Sequence, residues 1–514
     1  MSASLLASTP IAAVPNFTEI PVNWRVPGNY MEIKPAVNLN ALMEFPAKGF
    51  LAGQMYTTGS SAGNATPGVE YLIYSASQAN TLFGAGSMLA TMCAAWLLVN
   101  PYTPLYAIAV ADAAGSAKAS GTVTIAGTAT APGTLAMRFG GVRVTTPVNI
   151  GDTAAEVAAN LYAQLQLQGQ SGYPYLPSLV PSYVAAAAVV TLTAGHGGTL
   201  GNMIDIRLDT ETGDVVPAGL TVTIAAMAGG ATDPEAAIAA MVSSWSRWYT
   251  DIGWPWIDPT NLGVLTSYLA TSYGAMIQRD AQAYISYDGS YGAALAFEPN
   301  SQFISCLPVQ NSVTPPWIVA ATFAGACCYQ TAQQPALQLK NVALPGIVAP
   351  ASADQFSPDE RQALLEAGHS TFNVDDTGNV SLERVVTTYR TDAGGARNNA
   401  YFDLNTTKVP TRVRYDWDLY VGEVYPRNML CADGSIAADY NENAVTPRML
   451  KTSWTARSLV YEKAGWIQNS ATTAAASSFS IDANDGNRVD AAQQIQIMGN
   501  LIVLAGQLQF ISNN

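Results

Sequence analysis

The chain has 514 residues, with 23 basic against 37 acidic side chains and a formal charge of −14. That balance excludes a nucleic-acid partner, which requires a basic footprint, and no run approaches the 18 apolar residues of a membrane-spanning helix. Charged residues make up only 12%, against about 25% in ordinary soluble domains, so the surface is expected to be rich in small neutral side chains that are cheap to bury against other subunits.

At this length roughly three domains of about 100–200 residues are expected. Residues 1–25 carry Pro10, Pro15 and Pro21 and read as an extended N-terminal arm. No basic segment followed by an apolar core marks a signal peptide there. Arg25-Val-Pro-Gly-Asn-Tyr-Met-Glu-Ile33 reads as a turn feeding a strand. Strands are predicted at 50–55 and 105–110 around a helical stretch at 77–98, whose apolar part, 88–99, suits a buried helix. Residues 26–111 thus open an α/β body.

The composition changes at Asp112, and to about Ala231 the chain is dominated by Thr, Val, Ala and Gly. Thr122-Val-Thr-Ile125 and Leu220-Thr-Val-Thr-Ile224 alternate as strands do. Thr153 and Glu156, three apart, form a capping-box signal, and Val157, Leu161 and Leu165 supply the buried stripe of the helix that follows. Residues 112–231 are read as an inserted β-rich domain. The body resumes over 232–395, with helices predicted at 236–249 and 262–278 and strands at 283–286 and 303–307. A further helix is predicted to begin at Pro358, and Gly394–Asn399 is a flexible break.

Residues 396–500 read as a smaller α+β unit. Thr446-Pro447 is an N-cap followed by proline in the first helical turn. On that helix Leu450, Trp454, Arg457 and Tyr461 line one side, while Arg448, Lys451 and Lys463 fall within an arc of about 120° on the other. The basic face reads either as solvated surface or as a docking face for an acidic partner. Residues 408–514 carry 9 basic and 10 acidic groups, whereas 1–407 carry 14 and 27.

The last stretch, 501–514, is the most informative. Leu508 and Phe510 alternate with Gln507 and Gln509, the period of a strand buried on one face. Chain ends are usually polar, and an unpaired apolar strand is a template for association. It must pair within its own fold or be donated to another copy. Seven large apolar residues (Leu501, Ile502, Val503, Leu504, Leu508, Phe510 and Ile511) lie here. Buried, they give on the order of 10 kcal/mol, opposed by at least about 1 kcal/mol for each residue ordered. A single donated strand is therefore weak, but repeated through a lattice it becomes strong.

Catalytic patterns are thin. His196 sits in a Gly-rich turn and His369 follows the helix that begins at Pro358, where capping or packing is expected. Neither belongs to HExxH, and no GxSxG, Walker A or GxGxxG pattern is present. Asp416 and Asp418 resemble a metal-binding DxD, but the flanking sequence alternates like strand or helix surface. Asp375-Asp376 followed by Thr-Gly-Asn reads as a turn. Cys93, Cys306, Cys327, Cys328 and Cys431 lack CxxC spacing and read as reduced packing residues. No catalytic residue, metal or cofactor is expected.

Taken together, several segments resemble contractile tail sheath proteins of bacteriophages, of the Mu-like type. They run in order: Val26-Pro-Gly-Asn-Tyr-Met-Glu-Ile33; Gly197-Gly-Thr-Leu-Gly-Asn202 and Gly229-Gly-Ala-Thr-Asp-Pro234 in the insertion; Phe356-Ser-Pro-Asp-Glu-Arg361; Gly368-His-Ser-Thr-Phe372; and Leu382-Glu-Arg-Val-Val-Thr-Thr-Tyr389. Tyr425-Pro-Arg-Asn-Met-Leu430, Asn487-Arg-Val-Asp490 and Ala505-Gly-Gln-Leu-Gln-Phe-Ile511 complete the series. The resemblance implies a non-enzymatic structural protein of the virion tail, assembled in the host cytoplasm. It implies six-fold rings stacked into a helical sheath around a tail tube, bounded by baseplate and tail terminator proteins. It also implies a sheath-core domain at 396–500, completed by strands from neighbouring subunits and by the 501–514 arm, and contraction that drives the tube through the host envelope. Arg448, Lys451 and Lys463 become candidates to face an acidic tube. The alternative is a β-rich adhesin or surface-layer protein with 112–231 as its binding module. A hydrolase built on His369 or on Asp416 and Asp418 comes third.

Overall fold

In the computed structural model the residues described are 25–31, 41–170, 173–209 and 214–510. They fall into two units, 1–42 and 43–514. Of the first unit, 25–31 is exposed chain with bends at Val26 and Gly28, where the Tyr30 hydroxyl donates to the Val26 carbonyl at 3.4 Å. The strand expected after this turn, and the arm before it apart from Arg25, lie outside the described residues.

The second unit is mixed α/β with several sheets. Its centre is a six-stranded sheet in the order Ile304–Val309, Gln282–Asp288, Asp251–Gly253, Gly49–Gln54, Leu105–Val110 and Glu70–Ile73. All neighbours are parallel except the last pair, which is antiparallel. Gly49–Gln54 and Ile304–Val309 are buried at every position, as strands covered on both faces must be. Helices Met88–Val99 and Pro316–Gln333 pack on each other and on this sheet. The fit is tight enough that a Cβ at Gly49 would lie 2.2 Å from the Trp96 ring.

The helical stretch expected at 77–98 is two helices, Ala76–Phe83 and Met88–Val99. Gly84 and Gly86 break it at φ +89° and +77°, a backbone that side chains disfavour, and Ser87 caps the second helix by accepting from the Ala90 amide. The helix expected at 236–249 ends earlier, as Glu235–Ser243. The turn beyond it places Trp245 edge-on to Phe50, with ring centroids 4.6 Å apart, instead of continuing the spiral. The helix expected at 262–278 is Pro259–Tyr273, started by Asp258, which accepts from the Asn261 amide, and stopped at Gly274.

Among the described residues, the strands between 118 and 228 belong to two antiparallel sheets. One runs Leu220–Ala228, Lys118–Gly127, Val189–Gly197, Leu179–Val184, and the other Val142–Val148, Gly133–Phe139, Ile206–Leu208. The Thr153–Glu156 capping box is formed, and Ala154–Leu167 buries Val157, Ala158, Leu161 and Leu165. Arg143, Arg138 and Arg207 sit side by side across the second sheet. Like charges in register repel, and Asp209 offsets this by accepting from Arg138 Nε at 3.1 Å and Arg143 Nε at 2.6 Å.

Towards the C-terminus stand helices Asn405–Val424 and Pro447–Lys463, the short helix Ser470–Ala476 and the hairpin Ser478–Ile481 with Val489–Ala492. The last ladder pairs Ile467–Gln468 with Gln496–Ile497.

Candidate functional site

Asp416 lies on the helix Asn405–Val424, contrary to any strand reading of its neighbourhood, and is 1% exposed. Its carboxylate accepts from Arg457 Nε and Nη2, both at 2.6 Å, and from the Tyr461 hydroxyl at 2.6 Å. The Met43 amide donates to it as well, at 2.7 Å. Four donors converge on one buried carboxylate, as a charge out of water requires. Burial opposes the Arg457 charge, yet its bonds to Asp416 leave the guanidinium pKa raised; burial drives the Tyr461 hydroxyl up as well. Asp418, two residues on and exposed, points elsewhere on the helix. The DxD is thus an ion-pair anchor and a surface residue. Sequence spacing missed this because the partner of Asp416 is 41 residues away.

The helix Pro447–Lys463 buries Trp454, Arg457, Ser458 and Tyr461, as its predicted stripe requires, with Leu450 half-buried. Thr446 caps it, accepting from the Met449 amide at 3.2 Å. Of the basic face, Arg448 and Lys463 are exposed, and Lys451 Nζ donates to the Ala475 carbonyl at 3.0 Å.

The 501–510 segment forms no strand within the subunit. The last backbone bond before it runs from the Met498 amide to the Trp466 carbonyl at 3.1 Å, and Asn500 Nδ2 reaches Asn405 Oδ1 at 3.4 Å. Beyond Asn500, Leu501, Val503, Leu504, Leu508 and Phe510 are 77–93% exposed, and Ile502 is half-buried. The strand expected at 507–511 has no partner ladder among the described residues, and Ile511 lies outside them. A groove of about 420 Å³ on the Asn405–Val424 helix is lined by Pro410, Val413, Trp417, Val421, Trp454 and Ile495 together with the polar Gln278, Arg414, Asp418 and Gln493.

Both histidines are buried. His196 ends the strand Val189–Gly197, 4% exposed. Its Nε2 accepts from the Met88 amide at 3.2 Å, so Nδ1 carries the proton donated to Asp112 at 3.0 Å. Burial lowers its pKa, opposed by Asp112. His369 is fully buried beside the backbone of Ala294 and Phe297 and stacks on the Phe297 ring with centroids 6.3 Å apart. Burial pushes its pKa down to about 4. It packs, as the sequence suggested. Asp375 makes the expected turn between Thr371–Val374 and Val380–Arg384, with its pKa drawn down to about 2, first by the Thr377 hydroxyl. Among the described residues no cluster of His, Cys, Asp and Glu could hold a metal ion.

Residues 229–388 match the family model described as the phage tail sheath protein central domain. The chain is 27% identical over 499 residues to the Mu-like prophage FluMu tail sheath protein of Haemophilus influenzae, covering 96% of this chain and 99% of that one. Among solved structures, a sheath tail protein of Listeria innocua aligns at 11% identity and a TM-score of 0.47, covering 88% of this chain and 92% of that one. A chain of the anti-feeding prophage baseplate aligns at 11% and 0.41, covering 95% and 99%. The chain thus carries a phage tail sheath central domain over residues 229–388 and is similar almost end to end to a tail sheath protein of a Mu-like prophage.

Proposed function

We propose that this chain is the repeating subunit of a contractile sheath. It stacks as six-fold rings into a helical polymer around a tail tube, between baseplate and tail terminator, and shortens to drive the tube through the host envelope. It acts as a structural element with no active site, assembling in the host cytoplasm and residing in the virion tail. In this reading 1–25 is an N-terminal arm, 26–111 and 232–395 form the body, and 112–231 is inserted. Residues 396–500 are the sheath-core domain, and 501–514 is a strand given to a neighbour.

The observation that carries the reading is the terminal segment: five large apolar side chains held in solvent with no ladder of their own. An exposed apolar patch marks an interaction site, and an extended segment gains affinity by adding to another sheet. The groove beside Trp417 and Trp454, apolar along those rings, is the receiving surface we assign to the next copy's 501–511. The exposed cations Arg448 and Lys463, with Lys451, are assigned to an acidic tube surface. Truncation after Asn500 tests the reading. It is expected to yield a soluble folded monomer that forms no striated tubes in negative stain; normal tubes from the truncated chain would overturn the strand assignment. Reversing the charges of Arg448, Lys451 and Lys463 together is expected to abolish assembly templated on tube.

A further inference from the structure

A cleft of about 460 Å³ opens where the strand-rich stretch meets the loops after the first central strand. Its floor includes Tyr56, Leu165, Leu176 and Leu179, and its rim includes the hydroxyls of Thr58, Ser60 and Ser61 and the amides of Gln166, Gln168 and Gln170. Among the described residues that line it, none is Asp or Glu and the one cation is Lys118, which donates to the Gly195 carbonyl at 2.6 Å. Tyr175 stands at the mouth, 41% exposed. Its ring lies flush on the helix end, since a Cβ at Gly169, where φ is +82°, would come within 2.6 Å of it. Below, the Tyr56 ring stacks on His196 with centroids 4.7 Å apart. Gln168 donates to the Gln164 carbonyl at 3.2 Å, while its own Oε1 is buried without a donor.

We infer that this cleft binds a neutral oligosaccharide. A pyranose presents a flat C–H face, which suits a tyrosine ring, and an edge of hydroxyls that both donate and accept. Serine and threonine hydroxyls and glutamine amides match that edge because they too do both. A cleft without carboxylates is unsuited to a cation, and a single engaged lysine is too little for a phosphate. A few placed polar groups over an apolar floor are the usual make-up of a small-ligand site, and the volume falls within the range of about 300–1,000 Å³. Gln168 Oε1 lacks a donor, and a modest rotation of that side chain toward the cleft would let a sugar hydroxyl supply one. The site owes nothing to the polymer reading and would serve a sheath surface or an unassembled subunit equally.

Saturation-transfer NMR on the purified full-length chain tests it, using a panel of neutral glucans, mannans, galactans and chito-oligosaccharides. At least one is expected to show transfer, retained in Tyr175→Phe, weakened at least tenfold in Tyr175→Ala and severalfold in Gln168→Leu. Should Tyr175→Ala fail to fold, Ser60→Tyr, an exposed rim change that fills the cleft, is expected to block binding with the melting temperature unchanged. No transfer from any member of the panel, or transfer that survives Tyr175→Ala or Ser60→Tyr, overturns the assignment.

Discussion

The central sheet and the terminal segment use similar side chains to opposite ends. Phe50, Leu51, Ile252, Ile285 and Ile304 are fully buried, and every central strand is bonded to a neighbour. Leu504, Leu508 and Phe510 are 85–93% exposed and belong to no sheet. Hydrophobic residues in a lone subunit therefore do not all report on its core. Where neighbouring backbone is already satisfied, apolar side chains stabilise the fold, and where it is open they stand in solvent.

That contrast can be broken most sharply at Asp416. Replacing it with Ala leaves Arg457 buried without its counter-charge, and a loss of about 3–5 kcal/mol is expected in urea unfolding of the unassembled chain. Next comes acidification. The folded state holds His369 neutral, with its pKa at about 4 against about 6.5 when unfolded. The unfolded chain therefore takes up the proton first. The stability due to this group is present above about pH 6.5 and falls as pH drops towards 4, by on the order of 3 kcal/mol. His369→Phe is expected to flatten that slope, as urea midpoints at pH 7 and pH 4.5 would reveal. Gly49→Ala drives a methyl into Trp96 and is expected to cost about 1–3 kcal/mol, visible as a lower thermal midpoint. The smallest effect on the lone chain should come from Leu508→Asp with Phe510→Asp. These exposed sites are expected to shift monomer stability by less than about 0.5 kcal/mol while abolishing tube formation in negative stain.

Local signals carried much of the fold. The strand at 105–110, the helix at 88–99 and the capping box at Thr153 each depend on neighbours within a few residues, and sequence spacing exposes those. The Ser357–Glu360 capping box, formed at the helix beginning at Pro358, is of the same kind. The helix break at Gly84–Gly86 was harder, because glycine tolerates helix and what excludes other residues at Gly84, a φ of +89° and a Cβ position 2.4 Å from the Ser61 carbonyl and 2.9 Å from Tyr56, is set by the fold. The helix Asn405–Val424 was masked by Pro410 inside it. Least legible were pairings across long separations. The bond of Met43 to Asp416 spans 373 residues, and Asp209 reaches two arginines on two other strands. Of the candidate site, the apolar tail and the basic face were readable from spacing, whereas the lining of the groove beside Trp417 required the helices to be placed.

The Met43 amide has a mechanical consequence. Met43 opens the second unit, and its amide is bonded to the buried Asp416 carboxylate. Its acceptor is clamped by a guanidinium and a phenol from a second helix. A load reaching Met43 is thus divided between two helices of the C-terminal half and, six residues on, the central strand Gly49–Gln54.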